Sequence, residues 1–200
     1  MFTAHDFDDG LQFILETLKA ENIYASFFFT GDYIKNNKSM VKDVISSGHS
    51  VGPHSDQHLL YCDWVDRDLL LFSEKAIKKD VKRNVAKLKR IGSNPVYFMP
   101  PYEWYNKIVA KISENLNLIL VNFSPGTSSN ADYTTPAMSN YKSSEEIYNR
   151  ILLVEETAGL NGFHLLIHAG THPERTDKLY FRLPILIQSL KSRGYQFSKL

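Results

Sequence analysis

The most informative part of this sequence is the stretch Gly48-His49-Ser50-Val51-Gly52-Pro53-His54-Ser55-Asp56-Gln57-His58. It contains the end of a short apolar strand and a Gly-Pro break, after which two histidines follow with three residues between them. On a helix, residues at positions i and i+4 lie on the same face, so the imidazoles of His54 and His58 can reach one ion. Neutral imidazoles are good ligands for zinc and related divalent metals. The stretch therefore predicts a metal site that needs a third ligand from elsewhere; the simpler interpretation is a surface pair at a helix start.

The composition is that of an ordinary globular protein and excludes several other classes. The 200 residues are 43% hydrophobic and 22% charged, with a formal net charge of +1, and a chain of this length can bury a substantial core. The balanced charge gives no indication of a nucleic-acid partner, and no apolar run is long enough for a transmembrane segment. Cys62 is the only cysteine, so no internal disulfide can form. The first residues resemble the middle of a strand, so we expect one domain over residues 1–200, cut from a longer chain.

Apolar runs that predict buried strands alternate with segments of helical periodicity. The clearest strand runs from Ala25 to Thr30 and is almost continuously apolar, as in strands that are buried on both faces. The clearest helix runs from Lys75 to Ile91 and ends at Gly92. Seven strands are expected in all, at residues 2–4, 25–30, 50–52, 95–99, 118–123, 163–167 and 195–198. This alternation predicts an α/β fold with a parallel sheet, either open or closed into a barrel.

Polar residues follow several of these strands at their carboxyl ends, where parallel α/β folds carry their ligand sites. His5 and Asp6 follow the first strand, His54 follows the third, Pro100-Pro101-Tyr102 follows the fourth and His168 follows the sixth. If the strands are parallel, these residues gather at one edge of the sheet. We expect the functional site at that edge.

The same residues resemble the motifs of the polysaccharide deacetylases (NodB-like, carbohydrate esterase family 4). Gly48 to His58 resembles the second motif of that family, in which an H-S/T-x-x-H core follows Gly-His and a second Gly. Ala25 to Gly31 resembles its second strand, Pro100-Pro101-Tyr102 its third motif and Leu165 to His168 its fifth. The resemblance covers essentially the whole chain. It implies a distorted (β/α)7 barrel that carries a metal-dependent site for removing N- or O-linked acetyl groups.

The first motif of the family, T-F-D-D-G, can be placed on this sequence in two registers. Its first Asp is the general base of the family and its second Asp is a metal ligand. The preferred register keeps the family spacing to the Phe-rich strand, and it puts His5 at the base position and Asp6 at the ligand position. The other register matches the letters and makes Asp8 the base and Asp9 the ligand. A further interpretation is that Asp8 and Asp9 only form an acidic cap for the following helix.

The resemblance implies a role for each matching residue. Asp6, His54 and His58 would hold one divalent ion, expected to be zinc, with nickel and cobalt as alternatives. His5 would act as the base and His168 would protonate the leaving group. A histidine that ends an apolar strand is also often only a hydrogen-bonded core residue, so both interpretations of His168 stay open.

Two departures from the family pattern concern the base. Met99 stands where the third motif usually has an Arg that orients the catalytic Asp, and the fourth motif, with its Asp-Trp, is not recognisable around Asn122. The aromatic residues after the Pro-Pro break suit a sugar ring, because its C–H faces stack on aromatic faces. We expect Pro101, Tyr102 and Trp104 to bind substrate; covering the core is the alternative role.

The sequence therefore predicts a metal-dependent hydrolase that removes acetyl groups from an acetylated oligo- or polysaccharide. The alternative is a carbohydrate-binding domain that keeps the metal site without turnover. The family favours a periplasmic or extracellular location.

Overall fold

The computed structural model describes all 200 residues and contains six strands and seven helices. The strands are β1 (Phe2–Ala4), β2 (Ser26–Phe29), β3 (Ser50–Pro53), β4 (Tyr97–Phe98), β5 (Ile119–Leu120) and β6 (Ile167–His168). The helices are α1 (Leu11–Ala20), α2 (Gly31–Asn36), α3 (Lys38–Ser46), α4 (Glu74–Arg90), α5 (Lys107–Glu114), α6 (Ser144–Ala158) and α7 (Leu183–Ser192). Short 3-10 turns lie at Pro101–Glu103, Ser129–Tyr133 and Leu179–Arg182. No helix combines the length and the apolar composition that crossing a membrane requires.

The contacts within the chain divide it into two compact units. The first unit contains Met1–Ala25 and Phe123–Lys199, and the second contains Ser26–Asn122 with Leu200. In the first unit β1 pairs with β6, and in the second β2 pairs with β3 and β4 with β5; all three pairs are parallel. The predicted α/β class with parallel strands is confirmed.

In the second unit, strand β2 is buried along its whole length, as its apolar run predicts. It pairs with β3 so that Phe29 lies opposite Pro53, and Met99, directly after β4, donates its N–H to the Pro53 carbonyl at 3.2 Å. A side chain at Gly52 would collide with β4, because an added Cβ would lie 2.5 Å from the Tyr97 carbonyl oxygen. Glycine therefore allows β3 and β4 to approach closely, and this approach brings the residues that follow both strands together.

In the first unit, β1 and β6 pair with Phe2 opposite Ile167 and Thr3 opposite His168. Parallel pairing means that the residues following both strands leave the sheet at the same edge. His5 and Asp6 follow β1 at that edge, as the sequence predicts, and His168 ends β6 there.

The seventh strand, expected at residues 195–198, does not form. Tyr195 is instead engaged at the ends of two helices. Its N–H donates to the Leu190 carbonyl of α7 at 3.1 Å, and its hydroxyl accepts the N–H of Leu160, which follows α6, at 2.8 Å. The backbone N–H of Tyr195 is thus used at the end of α7 and is not available to a strand ladder.

Helix α4 holds the carboxyl ends of β2 and β3 through a polar face of the helix. Asn84 is fully buried, and its Nδ2 donates to the Phe29 carbonyl at 2.8 Å and also to the Ser55 carbonyl. One turn further along, Lys87 Nζ lies 2.7 Å from Asp56 Oδ1. Helical spacing therefore places two side chains where they satisfy and fix the loop that carries the predicted histidine pair.

Asp80 adds a third polar contact to this face of α4. Its Oδ2 accepts the Tyr61 hydroxyl at 2.6 Å and the Asp56 N–H at 3.0 Å. Burial raises the pKa of the Asp80 carboxyl, although both hydrogen bonds act in the opposite direction. Burial, together with the charge of Asp80, also raises the pKa of Tyr61, so its hydroxyl remains a donor. The buried network under the loop is thus held in one arrangement of donors and acceptors.

We expect Asn84→Ala to lower the free energy of unfolding by about 1–3 kcal/mol, because two buried carbonyl groups lose their donor. Urea unfolding of the variant measures the loss. Arg83→Ala is the matched control, since Arg83 lies on the exposed face of the same helix. Equal stability of the two variants would contradict a structural role for the Asn84 side chain.

Candidate functional site

His54 follows β3 directly and is buried, with 3% of its surface exposed. Its Nδ1 lies 2.9 Å from the Met99 carbonyl oxygen. A carbonyl can only accept a hydrogen bond, so Nδ1 carries a proton, and in the neutral ring the lone pair is then on Nε2. Metal-binding histidines typically have this arrangement, in which one nitrogen donates to a carbonyl and the other faces the ion. The contact with Met99 therefore prepares Nε2 as a ligand atom.

His58 lies beside His54, but not for the reason that the sequence suggested. The predicted helix from His54 to His58 is wrong: the segment has no helical structure, and Ser55 and His58 have φ angles of 66° and 55°. Ser55 Oγ accepts the His58 N–H at 2.9 Å, so a side chain closes the turn instead of a helical carbonyl. The ring centroids of the two histidines are 5.0 Å apart.

An aromatic cluster continues from His58. The Tyr102 ring lies 4.5 Å from the His58 ring, and Trp64 lies 5.5 Å from both Tyr102 and Trp104. Trp64 and Tyr102 are 53% and 44% exposed, whereas Pro101 is buried. Of the three residues predicted to bind substrate, Tyr102 is the most exposed, and Trp64 adds a second exposed ring beside it.

Glu103, which follows Tyr102, was not singled out in the sequence. Its Oε1 lies 3.9 Å from His54 Nε2, and only 11% of its side chain is exposed. The only sequence signal was an acidic residue directly after the Pro-Pro-Tyr motif. A largely covered carboxylate therefore lies close to the ring nitrogen of His54 that is proposed to bind a metal.

In the first unit, His168 is held by a carboxylate that the sequence did not identify. Asp132 is buried; its Oδ1 lies 2.6 Å from His168 Nδ1 and its Oδ2 accepts the His168 N–H at 2.8 Å. A carboxylate on Nδ1 fixes the orientation of the imidazole and stabilises its charged form. Asp132 lies in the 3-10 turn Ser129–Tyr133, and its neighbour Tyr133 packs with its ring centroid 5.6 Å from that of His168. An acidic residue followed by an aromatic one was the only available signal.

His5 and Asp6 contact each other after β1. His5 Nε2 lies 3.3 Å from Asp6 Oδ1, and the side chains are 29% and 69% exposed. Asp6 is therefore a largely exposed carboxylate with a histidine beside it, and the choice between the two registers of the first motif stays a prediction.

Asp9, the alternative ligand, is engaged on both oxygens within the first unit. Oδ1 accepts the Thr171 N–H at 2.9 Å, and Oδ2 accepts the Tyr180 hydroxyl at 2.6 Å and lies 3.0 Å from Lys178 Nζ. Burial raises the pKa of Asp9, but the hydrogen bonds from Tyr180, Lys178 and Thr171 outweigh it and hold the pKa below its ordinary value. Asp9 is an anchor for the 171–180 segment in this arrangement.

Two further histidines pack against aromatic rings. His49 packs its ring 5.1 Å from Phe27, and His172 contacts the edge of Phe7 at 5.6 Å. Neither unit gathers three His, Cys, Asp or Glu side chains into a ready-made ion site.

Comparison with known proteins places the chain in a family. The family model described as polysaccharide deacetylase matches residues 3–121. The peptidoglycan-N-acetylglucosamine deacetylase PgdA of Listeria monocytogenes is 28% identical over 200 residues, which cover 97% of this chain and 37% of that protein. A peptidoglycan-N-acetylglucosamine deacetylase of Bacillus cereus is 25% identical over 202 residues, which cover 97% of this chain and 84% of that protein.

Solved structures share the fold at lower identity. A CE4 family pseudoenzyme from Bacillus anthracis matches with a TM-score of 0.74 and 18% identity, over 100% of this chain and 62% of that one. The chain spans between about a third and a half of the length of several curated relatives that it matches. Since the family model covers more than half of the sequence, this chain belongs to the polysaccharide deacetylase family.

Proposed function

We propose that this chain is a metal-dependent hydrolase that removes N- or O-linked acetyl groups from a carbohydrate. The observation that carries the proposal is the histidine pair of the second unit, in which Met99 sets the tautomer of His54 and the His58 ring lies 5.0 Å away. Two imidazoles and a carboxylate suit zinc, and also nickel or cobalt. Asp6 is the proposed carboxylate ligand, because Asp9 is engaged by three donors.

The proposed reaction assigns separate roles to a metal ion, to His5 and to His168. A bound divalent ion would polarise the acyl carbonyl and lower the pKa of a water molecule. His5 would accept the proton of the attacking water, since the unprotonated ring nitrogen of a neutral imidazole is a proton acceptor. His168 would donate a proton to the departing amine or alcohol. Asp132 supports this role because its carboxylate stabilises the imidazolium form.

The proposed substrate is an acetylated oligo- or polysaccharide. Tyr102 and Trp64 present exposed rings next to His58, and aromatic faces of this kind stack against the C–H surfaces of sugar rings. The Arg67 guanidinium lies 4.0 Å from the centroid of the Trp104 ring, and this cation–π contact stabilises the aromatic cluster. The two curated deacetylases described above are named for peptidoglycan N-acetylglucosamine, so acetylated amino sugars are the first substrates to test.

A second candidate is a carbohydrate-binding domain without turnover. One observation favours it: position 99 holds an uncharged, fully buried methionine, so no cation at that position orients a base. The fold itself does not decide between the candidates, since the Bacillus anthracis protein that shares it is a pseudoenzyme. Acetate release from acetylated chito-oligosaccharides and acetylated xylan, with zinc, cobalt or nickel, separates the two. Glycan binding without acetate release under all these conditions would support the binding domain.

We expect the purified chain to bind about one divalent ion, and His58→Ala to weaken zinc binding at least about tenfold because a ligand is lost. Isothermal titration with zinc measures both quantities. His172→Ala is the control, since that side chain lies outside the proposed site. Unchanged zinc affinity in His58→Ala would refute the metal site.

We expect Asp6→Asn to weaken zinc binding and Asp9→Asn to leave it nearly unchanged. Asp9→Asn should instead lower the melting temperature at pH 7, because a carboxylate with a depressed pKa stabilises the fold above its unfolded-state pKa of about 3.9. That stability begins to fall near the unfolded-state pKa of about 3.9 and is lost as the pH falls through the lower folded-state pKa, so the variant and the parent should converge only below that folded-state pKa. Loss of zinc binding only in Asp9→Asn would favour the other register.

We expect Asp132→Asn to lower kcat by about 10²–10⁴, because the imidazole of His168 loses the carboxylate that orients it and stabilises its charge. The zinc affinity should not change. Steady-state acetate release and zinc titration on the same preparation test both expectations. Asp43→Asn, on the exposed face of α3, serves as the control. A fall in zinc affinity that accounts for the lost activity would argue against an acid role for His168.

A further inference from the structure

We propose that Arg175 is a positioning residue for the acid of the reaction: it holds the turn that carries Asp132, and through Asp132 it orients His168. The inference deepens the proposed function and rests on it, since it needs His168 to be the acid. Arg175 lies seven residues after His168 and outside the motifs that carry the family resemblance. All of the residues involved belong to the first unit.

The guanidinium of Arg175 is a buried cation whose hydrogen bonds all go to neutral oxygens. Taking a cation out of water is costly unless its surroundings compensate. Arg175 is fully buried, and its Nε has no hydrogen-bond partner. Its terminal nitrogens contact the carbonyl and hydroxyl of Thr134, the Lys142 carbonyl and the Ser144 hydroxyl. The Tyr141 ring centroid lies 5.2 Å from Cζ and adds a cation–π contact. The contacts that offset the burial of this charge therefore all come from residues 134–144.

The two terminal nitrogens of Arg175 bridge the two ends of a loop segment. Nη1 donates to the Thr134 carbonyl at 2.6 Å, and Nη2 donates to the Lys142 carbonyl at 3.0 Å. The Lys142 N–H also donates to Thr134 Oγ1 at 3.3 Å. A guanidinium is planar and presents its donors in a rigid fork, so it fixes the separation of the two carbonyls in a way that a lysine could not. Thr134, the first residue after the 3-10 turn Ser129–Tyr133, is thereby held in place.

Thr134 connects this bridge to the turn that carries Asp132. Its N–H and its hydroxyl both donate to the Ala131 carbonyl, at 3.0 and 2.7 Å. Ala131 directly precedes Asp132, whose two oxygens contact Nδ1 and the N–H of His168 at 2.6 and 2.8 Å. The strength of such contacts depends steeply on distance and angle. A displacement of Thr134 would therefore move the turn and weaken the contact that orients the imidazole.

The alternative is that Arg175 only stabilises the fold by supplying donors to buried carbonyl groups. Both roles predict a less stable protein after substitution. They differ at His168, because only a positioning role changes the contact between Asp132 and His168 in a protein that is still folded. The test therefore has to observe that contact directly.

The test uses the full chain and follows by NMR the proton between His168 Nδ1 and Asp132 Oδ1. A proton that an imidazole donates to a carboxylate resonates far downfield, and His168→Gln identifies the signal by its loss. We expect Arg175→Met to shift or remove this signal. We also expect it to lower kcat for acetate release at least about tenfold with little change in KM, because a misplaced acid impairs the reaction and not the binding of substrate.

Arg150→Met is the matched control. Arg150 is exposed, and its Nε donates at 2.8 Å to the Gly126 carbonyl, in the same loop but before the turn. This variant should equal the parent in the NMR signal and in kcat.

Two further variants follow the path from Arg175 to the acid. Thr134→Val removes the hydroxyl that donates to Ala131 while the side chain keeps its shape, so it should also shift the signal, even if Arg175→Met folds poorly. The double variant of Arg175→Met and Asp132→Asn should have the kcat of Asp132→Asn alone, because a residue that acts through Asp132 adds nothing once that carboxylate is gone.

Two results separate this inference from the proposed function. If the parent releases acetate, and folded Arg175→Met and Thr134→Val keep its NMR signal and its kcat, Arg175 is only structural and the inference is wrong. If the parent releases no acetate, the proposed function fails and the acid role of His168 fails with it. The NMR signal alone then decides whether Arg175 positions Asp132.

Discussion

The hydrogen bond from His54 Nδ1 to the Met99 carbonyl is the interaction on which the candidate site depends. It joins the residues that follow two strands, β3 and β4, and the two partners are separated by 45 positions in the chain. A hydrogen bond to a carbonyl fixes the tautomer of the ring and therefore decides which nitrogen is a ligand. It exists because Gly52 lets β3 and β4 approach and because the Met99 N–H donates to Pro53. Backbone geometry thus sets the chemistry of the side chain.

The loop that follows β3 in the second unit is irregular, but side chains of helix α4 hold it in place. Ser55 and His58 adopt left-handed conformations, which leaves backbone groups without helical partners. Asn84 and Lys87 on α4 reach the same loop and hold it. The backbone hydrogen bonds of a helix make it a rigid element, and the polar side chains of α4 connect it to the loop. The loop can therefore be irregular and still well defined. The side chains of His54 and His58 are therefore well positioned on a segment that has no helix or strand of its own.

Each unit contains a histidine whose Nδ1 is engaged by an oxygen. In the first unit the partner of His168 is the carboxylate of Asp132, and in the second the partner of His54 is the Met99 carbonyl. The charge of the partner distinguishes the two roles. A carboxylate stabilises an imidazolium, which suits an acid, whereas a carbonyl that accepts from Nδ1 selects the tautomer in which Nε2 can bind a metal. The proposed division between acid and ligand follows from these two contacts.

The sequence by itself determined the parallel α/β class, the Phe-rich buried strand and the position of His54, His168 and the His5–Asp6 pair at strand ends, because strand burial and strand ends leave local patterns of apolar and polar residues. It did not determine the conformation of the histidine pair: the spacing of four residues predicted a helix, but Ser55 closes a turn there instead. Only the tertiary structure revealed Asp132 and Glu103, since each lies far along the chain from the histidine that it faces. The same holds for residues 195–198, where hydrogen bonds to two helix ends prevailed over local strand propensity. Local pattern specifies elements, whereas the partner of a side chain is decided by which elements pack together.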